Sequence, residues 1–185
     1  MPAQAVSTAL AALEEDPSKA LGLSFAKNAN IQPGQFIPRA DALSAPTLSL
    51  PTSTTSPSQT YLVICLDLDP PFASFPFAGP INHWLQSAFR LSPPSSSSPS
   101  SANNNLITTD PFIINYFRPG PPPGAGPHRY LFLLYEQPEN FDVKDHAPKD
   151  GKEVGVLPRI RWDLEGWERR VGVGGVVAAN WFRSK

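Results

Sequence analysis

The sequence predicts a mostly β protein, and three observations carry that expectation. Two runs of strand length, Tyr61-Leu62-Val63-Ile64-Cys65-Leu66 and Tyr130-Leu131-Phe132-Leu133-Leu134-Tyr135, are apolar on both faces, as strands central in a packed sheet should be. The chain holds 23 prolines against 12 glycines, which argues for many turns and against long uninterrupted helices. Hydrophobic residues make up 41% and charged residues only 17%, the balance of a globular protein with apolar strands. At 185 residues, a single domain over 1–185 with a sizeable core is expected.

Taken in order, residues 1–22 form the expected N-terminal helical segment. Residues 3–20 are Ala- and Leu-rich, with Leu10 and Leu13 three apart and acids at Glu14, Glu15 and Asp16. Pro17 interrupts the run, so it holds two short helices or one helix ending near Asp16. Between 23 and 50, apolar pieces alternate with Pro, Gly and Asn, which suggests two or three brief strands, Phe36-Ile37 and Thr47-Leu48-Ser49-Leu50 foremost. Residues 52–59 are a Ser/Thr/Pro loop. The central strand over 61–69 ends in Asp67 and Asp69, which share a face at i and i+2, and stops at Pro70-Pro71.

A Phe/Pro/Gly loop over 72–80 precedes Ile81-Asn82-His83-Trp84-Leu85. Residues 92–105 are Pro/Ser/Asn-rich and unable to build a core, so they read as an insertion loop. A further strand is expected over 112–117. Residues 139–152 are polar and charged, a surface loop carrying an exposed His146. Asp163 is placed to cap a short helix, with Trp162 and Trp167 packing beside it. Gly172-Val173-Gly174-Gly175 reads as a turn, since its spacing fails the dinucleotide fingerprint.

Charge and composition narrow the function. A net charge of −1 leaves no electrostatic footprint for nucleic acid, and Arg159-Ile160-Arg161 and Arg169-Arg170 carry nearby acids and read as solvated faces. No window reaches membrane-spanning length without charge or clustered proline, which leaves at most peripheral membrane contact. The start of the chain lacks a basic, then apolar, leader, and a cytoplasmic protein is expected. Cys65, the single cysteine, reads as a buried hydrophobe. His83, His128 and His146 with Cys65 match no metal-ligand spacing, and no Gly-x-Ser-x-Gly elbow occurs. No metal, cofactor or catalytic residue is therefore assigned, and binding or regulation ranks above catalysis.

The chemistry gathers at Gly120-Pro121-Pro122-Pro123-Gly124-Ala125-Gly126-Pro127-His128-Arg129-Tyr130. A stiff Pro/Gly loop delivers His128 and Tyr130 to one face of a strand and Arg129 to the other. On residue types alone, two core side chains satisfying each other's hydrogen bonds is an equally good reading. This stretch, with Leu133-Leu134-Tyr135-Glu136-Gln137-Pro138 after it, resembles the signature loop and strand of the phosphatidylethanolamine-binding protein family. That family includes Raf kinase inhibitor protein, plant flowering regulators and the yeast carboxypeptidase Y inhibitor. Asp67, Asp69 and Pro71 match its Asp-Pro-Asp-x-Pro pattern, with Leu68 in place of the first proline. His83 falls on its pocket histidine. Arg161-Trp162 onward and Val176-Val177-Ala178-Ala179-Asn180-Trp181-Phe182 resemble its closing helix and strand.

The resemblance implies a Greek-key antiparallel β-sandwich with short N- and C-terminal helices, a cis bond at or near Pro71, and a small pocket. Its ligand-binding positions would be Asp67, Asp69, Pro71, His83, Gly120, Pro121, His128 and Tyr130. The two acids would orient protonated histidines, whose N–H groups with the Tyr130 hydroxyl and loop amides bind a small anion: phosphate, a phospholipid head group or a carboxylate. The family often carries an acid where Pro80 stands, and its loss should favour anions over amine-bearing head groups. Implied partners are a serine carboxypeptidase or a kinase. The alternative is a non-hydrolytic enzyme or accessory protein of fungal secondary metabolism, using the His/Asp/Tyr set for acid–base chemistry.

Overall fold

The computed structural model describes residues 3–51, 59–93 and 104–185. The loop expected at 52–59 and the body of the insertion expected at 92–105 fall almost wholly outside the described residues. Helix α1 (Gln4–Glu15) ends where Pro17 dictates: Asp16 accepts Ser18 N–H and caps a 3-10 turn over Pro17–Lys19. Strands β1 (Gly22–Ser24), β2 (Gln35–Phe36) and β3 (Thr47–Ser49) are the brief ones foreseen between 23 and 50. The long strands are β4 (Tyr61–Asp67), β5 (Ile81–Leu91), β7 (His128–Glu136) and β8 (Val176–Ser184), with a short β6 (Asn105–Ile107) and helix α2 (Leu164–Val171).

Hydrogen bonding joins the strands in the order β1-β3-β6-β5-β4-β7-β8-β2. In place of a sandwich of separate sheets, one curled sheet forms, because β5 serves both halves. Its first part pairs with β4, and Arg90 and Leu91 pair with β6 after a bend at Ala88, whose φ is +58°. All eight strands pair antiparallel except β2 with β8. The segment expected as a strand over 112–117 is not regular, but it lies along β5 through mutual Leu85–Ile114 bonds and Phe117 N–H to His83 O.

Period-two alternation explains why β4 and β7 are apolar throughout. Tyr61, Val63 and Cys65 of β4, with Tyr130, Phe132 and Leu134 of β7, face inward to the concave core with Trp84 and Phe182. Leu62, Ile64 and Leu66, with Leu131, Leu133 and Tyr135, face α1 and α2 through Val6, Ala9, Leu13, Leu164 and Trp167. Each such aliphatic side chain contributes about 1.5–3 kcal/mol on burial, so the two covered faces fix β4 and β7 firmly. Cys65 is inside the concave core, and burial pushes its thiol pKa up. Asp163 caps α2 by accepting Gly166 N–H, a fit that leaves no room for a β-carbon at 166. Among the described residues, no helix is long and apolar enough to cross a membrane.

Candidate functional site

Strand register brings the candidate residues together at the ends of β4, β5 and β7. Asp67, the last residue of β4, sits opposite Tyr130 of β7. His83 arrives by a different device. Cys65 pairs with Trp84 but Leu66 pairs with Asn82, so His83 is the extra residue of a bulge that turns it toward Tyr130. Its ring meets Tyr130 edge-on at 5.1 Å and tilts over Phe117 at 5.5 Å.

Asp67 is the hub. Its Oδ2 accepts His128 Nδ1–H at 2.8 Å and lies 3.9 Å from His83 Nε2, while its Oδ1 accepts Asp69 N–H at 3.0 Å. The second ring nitrogen of His128 is 3.2 Å from the Pro71 carbonyl. Both nitrogens of His128 therefore face acceptors, an arrangement only the doubly protonated ring satisfies. Burial works against that charge, but the bond to Asp67, its negative charge and the Pro71 carbonyl outweigh it, and the His128 pKa is raised. The peptide bond before Pro71 is cis, as the resemblance implied, and so is that before Pro80.

His83 behaves oppositely, which corrects the expectation that both histidines hold their protons. Burial lowers its pKa more than Asp67 raises it, and the charges of Arg159 and His128 lower it further. Its Nδ1–H donates to Phe117 O at 2.7 Å, and Nε2 makes no hydrogen bond among the described residues. His83 is thus a neutral ring with one nitrogen to spare. Tyr130 accepts Gly120 N–H at 3.3 Å, and burial, with Asp67 beside it, raises its phenol pKa beyond the ordinary range. His83, His128, Asp67 and Tyr130 are all buried; Phe117, against His83, is 40% exposed. Gly120 is exposed, and Pro71 and Pro121 are half-buried beside them.

Two expectations fail here. Asp69 was to orient a histidine, but β4 ends at Asp67 and the chain turns as Asp69 N–H bonds back to it. The Asp69 carboxylate then takes the Arg129 backbone N–H at 2.8 Å and clamps its guanidinium through Nε and Nη2 at 2.6–3.2 Å. Arg159 was to be a solvated charge, yet its side chain is 1% exposed. Its guanidinium donates to the carbonyls of Asn115, Val154 and Asn82 and to Asn115 Oδ1, at 2.6–3.3 Å, and its charged carbon lies 5.4 Å from the Phe117 ring centre. Among the described residues no carboxylate hydrogen-bonds to it, and burial lowers its pKa, opposed by the charge of Glu153. Nothing in local sequence separates it from exposed Arg161, because Val154 and Gly155 supply only part of its acceptors and the rest, at Asn82 and Asn115, are distant in the chain. Among the described residues, no cluster of His, Cys, Asp and Glu suited to a metal ion forms.

The sequence profile described as "Phosphatidylethanolamine-binding protein" matches residues 25–173. The chain belongs to that family. Among its relatives, the "Phomoidride biosynthesis cluster protein N" of Talaromyces stipitatus is 27% identical over 171 residues, covering 88% of this chain and 82% of that protein. The carboxypeptidase Y inhibitor of Saccharomyces cerevisiae is 60% identical over a stretch of 30 residues, 16% of this chain and 14% of the inhibitor. In structure, carboxypeptidase Y inhibitor, solved in complex with its cognate proteinase, superposes with a TM-score of 0.68 at 20% identity, covering 98% of this chain and 93% of the inhibitor. The mostly β family fold, one curled eight-stranded sheet with two helices, is thus shared.

Proposed function

We propose that this protein binds a small anion beside His83 and, so loaded, regulates a protein partner in the cytoplasm, a serine carboxypeptidase before a kinase. The observation that carries the reading is a surplus of buried positive charge. Asp67 balances His128, Asp69 balances Arg129, and Arg159 has no hydrogen-bonded carboxylate among the described residues, only the charge of the exposed Glu153 acting on it from outside the core. A phosphate, a phospholipid phosphate group or a carboxylate at His83 would supply the missing negative charge in a setting where water screens little.

On this reading, binding requires a rearrangement. His128 Nδ1 and Nε2 already have acceptors, and Gly120 N–H is committed to Tyr130. The first free contact is His83 Nε2, which must take up a proton to donate to an anion while Nδ1–H keeps Phe117 O. Gly120 N–H then exchanges the Tyr130 hydroxyl for a ligand oxygen. His128, held by Asp67, orients the site and contributes its charge.

The partner reading draws on the inhibitor fold likeness over nearly the whole chain. Acid–base chemistry is the second reading, favoured by the likeness to a biosynthesis-cluster protein over 88% of the chain; a spare His83 nitrogen near an Asp67–His128 pair could move a proton. Calorimetric titration with phosphate tests the first reading. Saturable binding lost in His83→Gln is the expected result; equal binding by that variant overturns it. Inhibition of a serine carboxypeptidase by the purified chain supports the partner, and turnover of a metabolite abolished by the same substitution favours the second reading instead.

A further inference from the structure

Exposed apolar side chains are not spread evenly over the molecule. Of nine large hydrophobics exposed among the described residues, six belong to the segments around the histidines: Phe72, Phe75, Phe77, Phe117, Val156 and Leu157. Phe72 follows Pro71, whose carbonyl faces His128, and Phe117 lies against His83. Val156 and Leu157 begin the 3-10 turn whose Arg159 donates to Asn82 O, one residue before His83. Arg161, four residues beyond Leu157, ties that turn to the phenylalanine loop: its N–H donates to Ala78 O and its Nε–H to Phe77 O. The loop holds its rings outward on a fixed frame. Residues 70–82 carry no charge, and the N–H groups of Phe75, Phe77, Ala78 and Gly79 are all spent on carbonyls within the loop. The Phe75 and Phe77 rings stand 5.3 Å apart, 65% and 54% exposed. A lone exposed leucine is ordinary, but a cluster of this kind on pinned turns marks an interaction surface.

We infer that this face docks a protein segment in which an acidic side chain is flanked by apolar ones. Charge complementarity selects the acid: Arg118, beside Phe117, and Arg161, at Phe77, are exposed and form no ion pair among the described residues. The carboxylate meets the Arg161 guanidinium, which spends only its Nε–H on Phe77 O, and the apolar side chains cover Phe75, Phe77 and Leu157. Aromatic rings beside arginine are the combination that dominates protein interfaces. A bilayer fits less well, because two arginines on a chain of net charge −1 make no polybasic patch to hold an anionic leaflet. Such docking rests on the reading that a protein partner is regulated, and it names the surface that partner would meet.

The test pans a phage-displayed random dodecapeptide library on the immobilised full chain and measures the enriched peptides, resynthesised, by fluorescence polarisation. The enriched sequences carry Asp or Glu between apolar residues. Phe77→Ser, Leu157→Ser and Arg161→Gln each weaken their binding at least about tenfold, the cost of losing an interface hot spot, and leave phosphate binding as it is in the parent. No enrichment, enrichment of basic peptides, or full affinity in Phe77→Ser and Leu157→Ser overturns the surface. Binding to phosphatidylglycerol–phosphatidylcholine vesicles that is lost in these variants, with no peptide enriched, gives the face to a membrane and overturns it too. Failure of the parent chain to inhibit a serine carboxypeptidase removes that partner alone and leaves peptide docking standing.

Discussion

His128 and Arg129 are neighbours in sequence, and so, one residue apart, are Asp67 and Asp69, yet the two acid–base pairs they form are different devices. His128–Asp67 lies on the concave side, enclosed, with a proton that can leave. Arg129–Asp69 lies on the convex side, its arginine 43% exposed and charged at every accessible pH. Strand alternation separates the cations, and the turn after Asp67 separates the acids. One short stretch of sequence thus builds a titratable hub on one face and a permanent clamp on the other. The difference teaches where function can sit: only the enclosed pair can report pH or a bound charge, whereas the clamp fixes geometry.

Removing the clamp should show the larger effect on stability. Asp69→Ala strands Arg129 N–H and its guanidinium and should cost about 3 kcal/mol in urea unfolding, in the range for breaking a buried pair. A loss below about 1 kcal/mol would mean that the clamp is no more than a surface ion pair. Arg159→Leu, which leaves the carbonyls of Asn115, Val154 and Asn82 without their donor, should fall in a similar range of about 2–4 kcal/mol. It should also abolish phosphate binding under conditions where the variant is still folded.

The hub should answer to pH, and the signs differ for its two rings. The His128 pKa is raised in the fold, so its stabilisation is complete below the ordinary histidine value and is lost as pH rises through the folded pKa. The His83 pKa is lowered, so its contribution is present above the ordinary value and is lost as pH falls through the folded one. The urea midpoint should therefore decline on both sides. Asp67→Asn should flatten the alkaline limb, and His83→Gln the acid limb. An alkaline limb that survives Asp67→Asn would break the assignment. The smallest effect belongs to the rim: Phe117→Ala removes a 40% exposed ring and should shift stability by no more than about 1 kcal/mol, while altering ligand exchange.

The long strands were readable because β4 and β7 are apolar on both faces, a pattern that leaves little else for Leu62, Ile64, Leu131 and Leu133 to do. The placement of His128 and Tyr130 followed from period two and the proline loop. What could not be read depended on partners distant in the chain. The bulge that turns His83 inward has no glycine to announce it. The burial of Arg159 rests in part on the carbonyls of residues 82 and 115, far from it in sequence, and the turn that diverts Asp69 toward Arg129 comes only when the regular strand has ended. Alternation predicts faces within a strand and fails one residue beyond it.

The claim on which the functional reading rests is that His83 is neutral in the free protein and gains a proton when an anion binds. Calorimetry with sulfate, whose own charge is constant between pH 6 and 8, measures this directly when repeated in buffers of different ionisation heat. The account predicts uptake of close to one proton per sulfate at pH 7.5, absent in His83→Gln, with affinity falling as pH rises. Binding with no proton uptake, or none at any pH, would contradict it.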